Sequence, residues 1–165
     1  MRELASPLPT TVIAEMMGIP EHQHPQFKRW ITHEPELATA AVEEALRFDS
    51  PGQGLLRITL SDITFQDTTI PAGARVLPLV GSANRDPRHF DDSDEFRLDR
   101  NVNDHITFGV GIHYCIGNSL ARIEARQALQ ALAHRALHLA LAGAPARIPS
   151  PVLRGLRTLP IRIRT

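Results

Sequence analysis

Cys115 is the single cysteine of a 165-residue chain. It stands in the run Phe108-Gly109-Val110-Gly111-Ile112-His113-Tyr114-Cys115-Ile116-Gly117. A lone thiol is by default a small buried hydrophobe, and three chemistries compete with that default. As a zinc ligand it would join His105 and His113, but the spacing fits no standard tetrahedral site. As a nucleophile it would need His113 as its base, and alternation along the loop makes that pairing awkward. As a thiolate ligand to haem iron it needs backbone able to approach a flat macrocycle, amides near sulfur and a field that favours the anion. Gly109, Gly111 and Gly117 permit close approach and unusual dihedrals. Cys115 also lies at the start of the longest expected helix, whose positive end favours a thiolate, and free amides around sulfur tune an iron centre.

Glu44 and Arg47 form a second constellation. Three residues apart, they share one helical face, although taken alone such a pair is a solvated surface contact. Arg57, in a run with strand character, reads by itself as a surface residue, and Phe108 as a core aromatic.

These residues need elements to position them. The hydrophobic fraction is 42%, and a chain of this length buries roughly 68–70% of its unfolded surface, so one ordinary domain or two very small ones is expected. Residues 9–17 read as a short helix. The period predicts a helix from Pro35 to Arg47 with Leu37, Ala41, Val42, Ala45 and Leu46 as its buried stripe. Leu55 to Leu60, Ile63 to Phe65 and Ala74 to Val80 predict strands, and residues 84–104 a long polar meander. Residues 116–136 predict the longest helix, with Ile116, Leu120 and Ile123 on one face and Leu129, Leu132 and Ala136 on another. Val152 to Ile163 predicts a small hairpin. The fold class expected is mainly α with a small antiparallel β portion, formed by residues 54–80 and that hairpin.

The net charge is zero, yet unevenly spread: residues 1–100 hold sixteen acids and ten bases, residues 101–165 two acids and eight bases. A basic C-terminal third fits an anionic partner or a lobe packed on the acidic part. No apolar run approaches the ~20 residues that span a bilayer. The first residues lack the apolar core of a signal peptide, and one cysteine fits a reducing compartment. A cytoplasmic protein without membrane or nucleic-acid partners is expected.

Phe108 to Gly117 resembles the haem-binding loop of the cytochromes P450, the haem-thiolate monooxygenases: Phe-Gly-x-Gly-x-His/Arg-x-Cys-x-Gly, matched at all six fixed positions. Glu44-Ala45-Leu46-Arg47 resembles the family's Glu-x-x-Arg helix. Phe96 to Arg100 resembles the meander whose arginine completes a Glu-Arg-Arg triad. Pro71-Ala72-Gly73, Ala83 to Pro87 and Leu153 to Leu156 also resemble segments of the soluble bacterial type. The resemblance implies haem b ligated by Cys115, with His105, Phe108, Gly109, His113, Gly117 and Arg57 around it. Arg57 and His113 would hold the propionates, and Phe108 would pack beneath the ring. It implies a structural triad of Glu44, Arg47 and Arg100, and Arg122 and Arg126 facing a ferredoxin-type redox partner. The activity implied is monooxygenation of a small organic substrate.

The resemblance divides the chain. Residues 1–34 are similar to a remnant of the family's N-terminal helical half, and residues 35–165 to its C-terminal haem-binding portion. The distal helix pattern Ala/Gly-Gly-x-Asp/Glu-Thr is absent from the sequence. The expectation is therefore a partial P450 fold. Its function is monooxygenase chemistry or, alternatively, that of a non-catalytic haem-binding remnant or a structural fragment.

Overall fold

The computed structural model describes residues 37–100, 104–135 and 138–164. The segments expected at residues 9–17 and 1–34 lie outside the described residues. Helix α1 is Leu37–Phe48, built from strong helix formers. It ends before Pro51, which disfavours helical backbone at Ser50, while the Ser50 hydroxyl donates to the Leu46 carbonyl at 2.8 Å. Its buried side is Ala38, Ala41 and Val42 together with Glu44 and Arg47. Leu37, Ala45 and Leu46, expected in the stripe, are only half-buried. The face carrying the Glu–Arg pair is covered by the meander, which rotates the buried sector away from the purely apolar one.

Among the described residues, four separate two-stranded antiparallel ladders replace the single small sheet expected. Strand β1 (Arg57–Ile58) pairs with β4 (Arg75–Val76). Strand β2 (Ile63–Phe65) pairs with β3 (Thr68–Ile70), turning through Gln66 at φ 51°. The strand expected from Ala74 to Val80 is short, because Pro78 has no N–H to continue a ladder. Its carbonyl accepts from Leu55, and Val80 instead opens a one-turn helix, α2 (Val80–Ala83).

Helix α3 runs Asn118–Arg135 and packs on α1. Its expected stripe is turned outward. Leu120 and Ile123 are exposed, as is Ile116 just before the helix, whereas Leu129 is buried. After α3, strands β5 (His138–Leu141), β6 (Ala146–Arg147), β7 (Leu156–Thr158) and β8 (Ile161–Arg164) follow. The expected hairpin within Val152 to Ile163 does not form. Instead β8 returns to β5 and β7 to β6, so each tail strand finds a longer-range partner. The core gathers Ala38, Ala41, Val42, Val80, Phe90, Phe96, Leu98 and Leu129, with Phe48 edge-on to Phe96 at 5.8 Å.

Candidate haem-thiolate site

Residues 84–100 wrap the C-terminal end of α1 around a buried arginine. Arg47 and Glu44 are both fully buried. The Arg47 Nε and Nη2 donate to the two Glu44 carboxylate oxygens at 2.8 and 2.7 Å. Its Nη1 donates to the carbonyls of Asn84 and Ser93, each at 2.8 Å, and Nη2 to that of Glu95 at 2.9 Å. All five guanidinium donors are thereby used. Glu44 also accepts the Arg97 amide at 2.9 Å and Arg100 Nε at 3.3 Å. Arg100 is itself nearly buried and donates to the Asp91 and Glu95 carbonyls. Charge is tolerated inside because every donor has an acceptor, and the meander's irregular backbone gains the partners it lacks internally.

The same helix end anchors the cysteine loop. The Asn84 side chain donates to the hydroxyls of Ser50 at 2.8 Å and Thr107 at 2.9 Å and accepts the Ile106 amide at 2.8 Å. The Thr107 hydroxyl donates to the Leu46 carbonyl at 2.6 Å. Neither residue stood out in the sequence as a site residue, although Asn84 lies in a segment that resembled the family.

From there the loop closes on itself. The Cys115 amide donates to the Phe108 carbonyl at 2.9 Å and the Tyr114 amide to that of Gly111 at 3.0 Å. Gly109 at φ 78° and Gly111 at φ 64° occupy the left-handed region, which costs an L side chain about 1–2 kcal/mol. A Cβ on Gly109 would lie 3.3 Å from the His113 carbonyl oxygen, and one on Gly117 would lie 3.9 Å from the Cys115 sulfur. Leu55 reaches the loop as well, its side chain 3.8 Å from the Gly109 Cβ position. Arg57 follows at i+2, on the same side of extended chain, with its guanidinium donating to the Leu56 carbonyl at 2.9 Å.

Cys115 is exposed, not the buried hydrophobe that a lone thiol is by default, on the loop that precedes α3. Around it in sequence, Val110, Ile112, Tyr114 and Ile116 are exposed apolar groups, the kind of patch that marks a binding surface. Among the described residues no group of three or more His, Cys, Asp or Glu could hold a metal ion. One soft sulfur donor in an apolar surround fits a metal that brings its own equatorial ligands, as haem iron does. His113 is exposed beside it.

The remaining expected residues face elsewhere. The His105 ring is 1% exposed, its Nε2 lying 3.2 Å from a Glu43 carboxylate oxygen. Burial pushes its imidazole below the usual histidine range, against the opposing pull of Glu43. Arg122 turns inward to the same carboxylate at 2.7 and 3.0 Å, which holds its guanidinium further above its ordinary value. Arg126 is half-buried beside it along the α1–α3 groove. Glu43 was missed in the sequence.

A match to the family described as Cytochrome P450 spans residues 16–136. The chain belongs to the cytochrome P450 family. Cytochrome p450 CYP199A2 of Rhodopseudomonas palustris is 43% identical over 130 residues, covering 79% of this chain and 32% of that protein. The cytochrome P450 monooxygenase PikC of Streptomyces venezuelae is 40% identical over 145 residues, covering 86% of this chain and 35% of its own length. Among solved structures, P450BioI in complex with an acyl carrier protein matches with a TM-score of 0.82 at 36% identity, over 97% of this chain and 41% of that one. CYP109E1 of Bacillus megaterium in complex with testosterone matches at 0.83 and 36%, over 98% and 44%. The chain thus spans about a third of the length of the P450 relatives it matches, and its fold is a partial P450 fold of helices and small antiparallel ladders. No helix among the described residues is long and apolar enough to cross a membrane.

Proposed function

We propose that this chain binds haem b through the Cys115 thiolate and is the haem-binding portion of a haem-thiolate monooxygenase. The observation that carries the reading is the exposed Cys115 sulfur on a loop closed by left-handed Gly109 and Gly111. That loop is pinned to the buried Glu44–Arg47 cluster through Asn84 and Thr107. When bound, haem supplies oxygen activation, and a thiolate ligand pushes electron density toward O–O cleavage.

The protein's own residues bind and orient. Gly117 keeps a side chain off the sulfur, Gly109 lets the loop close against the His113 carbonyl, and Phe108 packs beside the sulfur. Arg57 and His113 offer donors to the propionates. Glu44, Arg47 and Arg100 hold the meander in place beneath the loop. His105 supports the loop from inside rather than touching the cofactor. The basic C-terminal third, Arg126 with it, faces a ferredoxin-type redox partner. The substrate is a small organic molecule and the setting cytoplasmic.

A second reading, a haem-binding chain without turnover, is favoured by one observation: these 165 residues contain no Ala/Gly-Gly-x-Asp/Glu-Thr segment. Water excluded from both faces of the cofactor is needed for controlled oxygen chemistry. Reconstitution with haem and a ferrous carbon monoxide difference spectrum tests the site. Product formation with a ferredoxin, its reductase and a small organic substrate then separates the two readings. Absence of haem uptake would leave a structural fragment as the description.

A further inference from the structure

Glu43 and Glu44 are adjacent on α1, about 100° apart around the helix, and they serve two different clusters. Glu44 faces the meander. Glu43 faces α3 and the cysteine loop, where its carboxylate accepts three hydrogen bonds. Arg122 Nε reaches one oxygen at 2.7 Å, while Arg122 Nη2 at 3.0 Å and His105 Nε2 at 3.2 Å share the other. The His105 Nδ1 accepts the Thr107 amide at 3.3 Å, so in the neutral ring it is Nε2 that carries the proton and donates. Both partners of Glu43 then touch Phe108. The Arg122 guanidinium carbon lies 4.6 Å from the ring centroid, and the His105 ring is 6.1 Å away, tilted by 49°.

The network continues to the cysteine itself. Arg122 Nη1 donates to the Asn118 side-chain oxygen at 2.8 Å, and the Asn118 side-chain NH2 donates to the Cys115 carbonyl at 2.7 Å. From the other direction the Cys115 amide donates to the Phe108 carbonyl at 2.9 Å. The Cys115 amide is thus held by Phe108, whose ring rests on both partners of Glu43, and its carbonyl by Asn118, through the side chain tied to Arg122 and through the Asn118 amide at 3.2 Å.

We infer that Glu43 is a positioning residue for the thiolate loop, fixing Phe108 through His105 and Arg122 and the Cys115 peptide through Arg122 and Asn118. The inference deepens the haem-thiolate reading and rests on it for its chemical consequence. A carboxylate is required because it accepts on both oxygens at once. An amide at this position offers one acceptor and turns its NH2 toward a donor. A bidentate arginine contact also sets orientation as well as attraction, and this pair is partly exposed, with side chains 29% and 22% accessible. Its contribution is therefore to geometry more than to global stability.

The test uses the full chain with Glu43→Gln, Glu43→Ala and, as a control on the exposed side of α3, Glu124→Gln. Without haem, amide hydrogen exchange is followed at Cys115, and at Arg97, whose amide is bonded to Glu44. The Cys115 amide is expected to exchange roughly tenfold faster or more in both Glu43 variants, with Arg97 unchanged and the control like the parent. With haem bound, the reduction potential of the iron is expected to move in the Glu43 variants while the thiolate-type spectrum persists. Cys115 exchange at the parental rate in both variants overturns the inference. So does equal acceleration at Cys115 and Arg97, which would mean general destabilisation, or a haem potential that stays fixed. A parent chain that takes up no haem counts against the functional reading alone, since the exchange measurement still decides the role of Glu43.

Discussion

Replacing Glu44 by Ala removes the one anion in a fully buried arginine cluster. Arg47 loses the acceptors of Nε and of one Nη2 hydrogen, Arg100 loses that of its Nε, and the Arg97 amide is orphaned. Two guanidinium groups then face each other with side-chain exposures of 0% and 7%, where solvent screens little. Breaking a buried pair by removing one partner costs about 3–5 kcal/mol, against a total stability of about 5–15 kcal/mol for a typical domain. At about 2–4 °C per kcal/mol for a chain of this size, the melting temperature should fall by roughly 6–20 °C. Thermal and urea unfolding by far-ultraviolet circular dichroism reads this directly. Adding Arg100→Met should recover part of the loss, because the second stranded cation is gone. A Glu44→Ala chain that melts with the parent within error would refute the reasoning.

Other consequences are accessible to the same assays. Arg47→Lys should cost about 3 kcal/mol or more despite keeping the charge, because three donors on a point ammonium cannot serve five acceptors in fork geometry; an unchanged urea midpoint would contradict this. His105 has its pKa lowered by burial from 6.5, so as pH falls below 6.5 the unfolded chain binds the proton first and stability declines. His105→Gln should flatten that decline below pH 6.5, whereas the lowered values of Asp86, Asp99 and Asp104 act in the same direction only below 3.8. Parallel stability profiles for parent and variant across that window would count against it. Gly109→Ala should cost more than Gly111→Ala, since both have positive φ but only the former meets a backbone oxygen at 3.3 Å; equal urea midpoints would contradict this.

Local spacing made much of this molecule legible. Glu44 and Arg47 are one helical turn apart, Cys115 sits in an unbroken ten-residue pattern, and α1 and α3 lie close to their periodic segments. What escaped depends on distance along the chain. Glu43 is meaningful only through partners 62 and 79 residues away, so nothing local singles it out. Arg122 was placed on an outer face because nothing local reveals the carboxylate across the helix pair. The tail sequence alternates, yet alternation does not name a partner, and β7 and β8 pair backward with β6 and β5. Leu120 and Ile123 have core composition but exposed positions, since packing on α1 and not period alone decides which face of α3 is covered.

The central claim is ligation by Cys115, and the absorption spectrum of the ferrous carbon monoxide complex tests it most directly. It should be recorded for the haem-loaded parent, Cys115→Ser and Cys115→His. With no second cysteine in the chain, His105 turned inward on Glu43 and His113 exposed on the loop, sulfur ligation has one source. The parent should give a thiolate-type Soret band, Cys115→Ser should lose it, and Cys115→His should replace it with a nitrogen-ligated spectrum. A histidine-type spectrum already present in the parent, or a thiolate-type band that survives Cys115→Ser, would contradict the account.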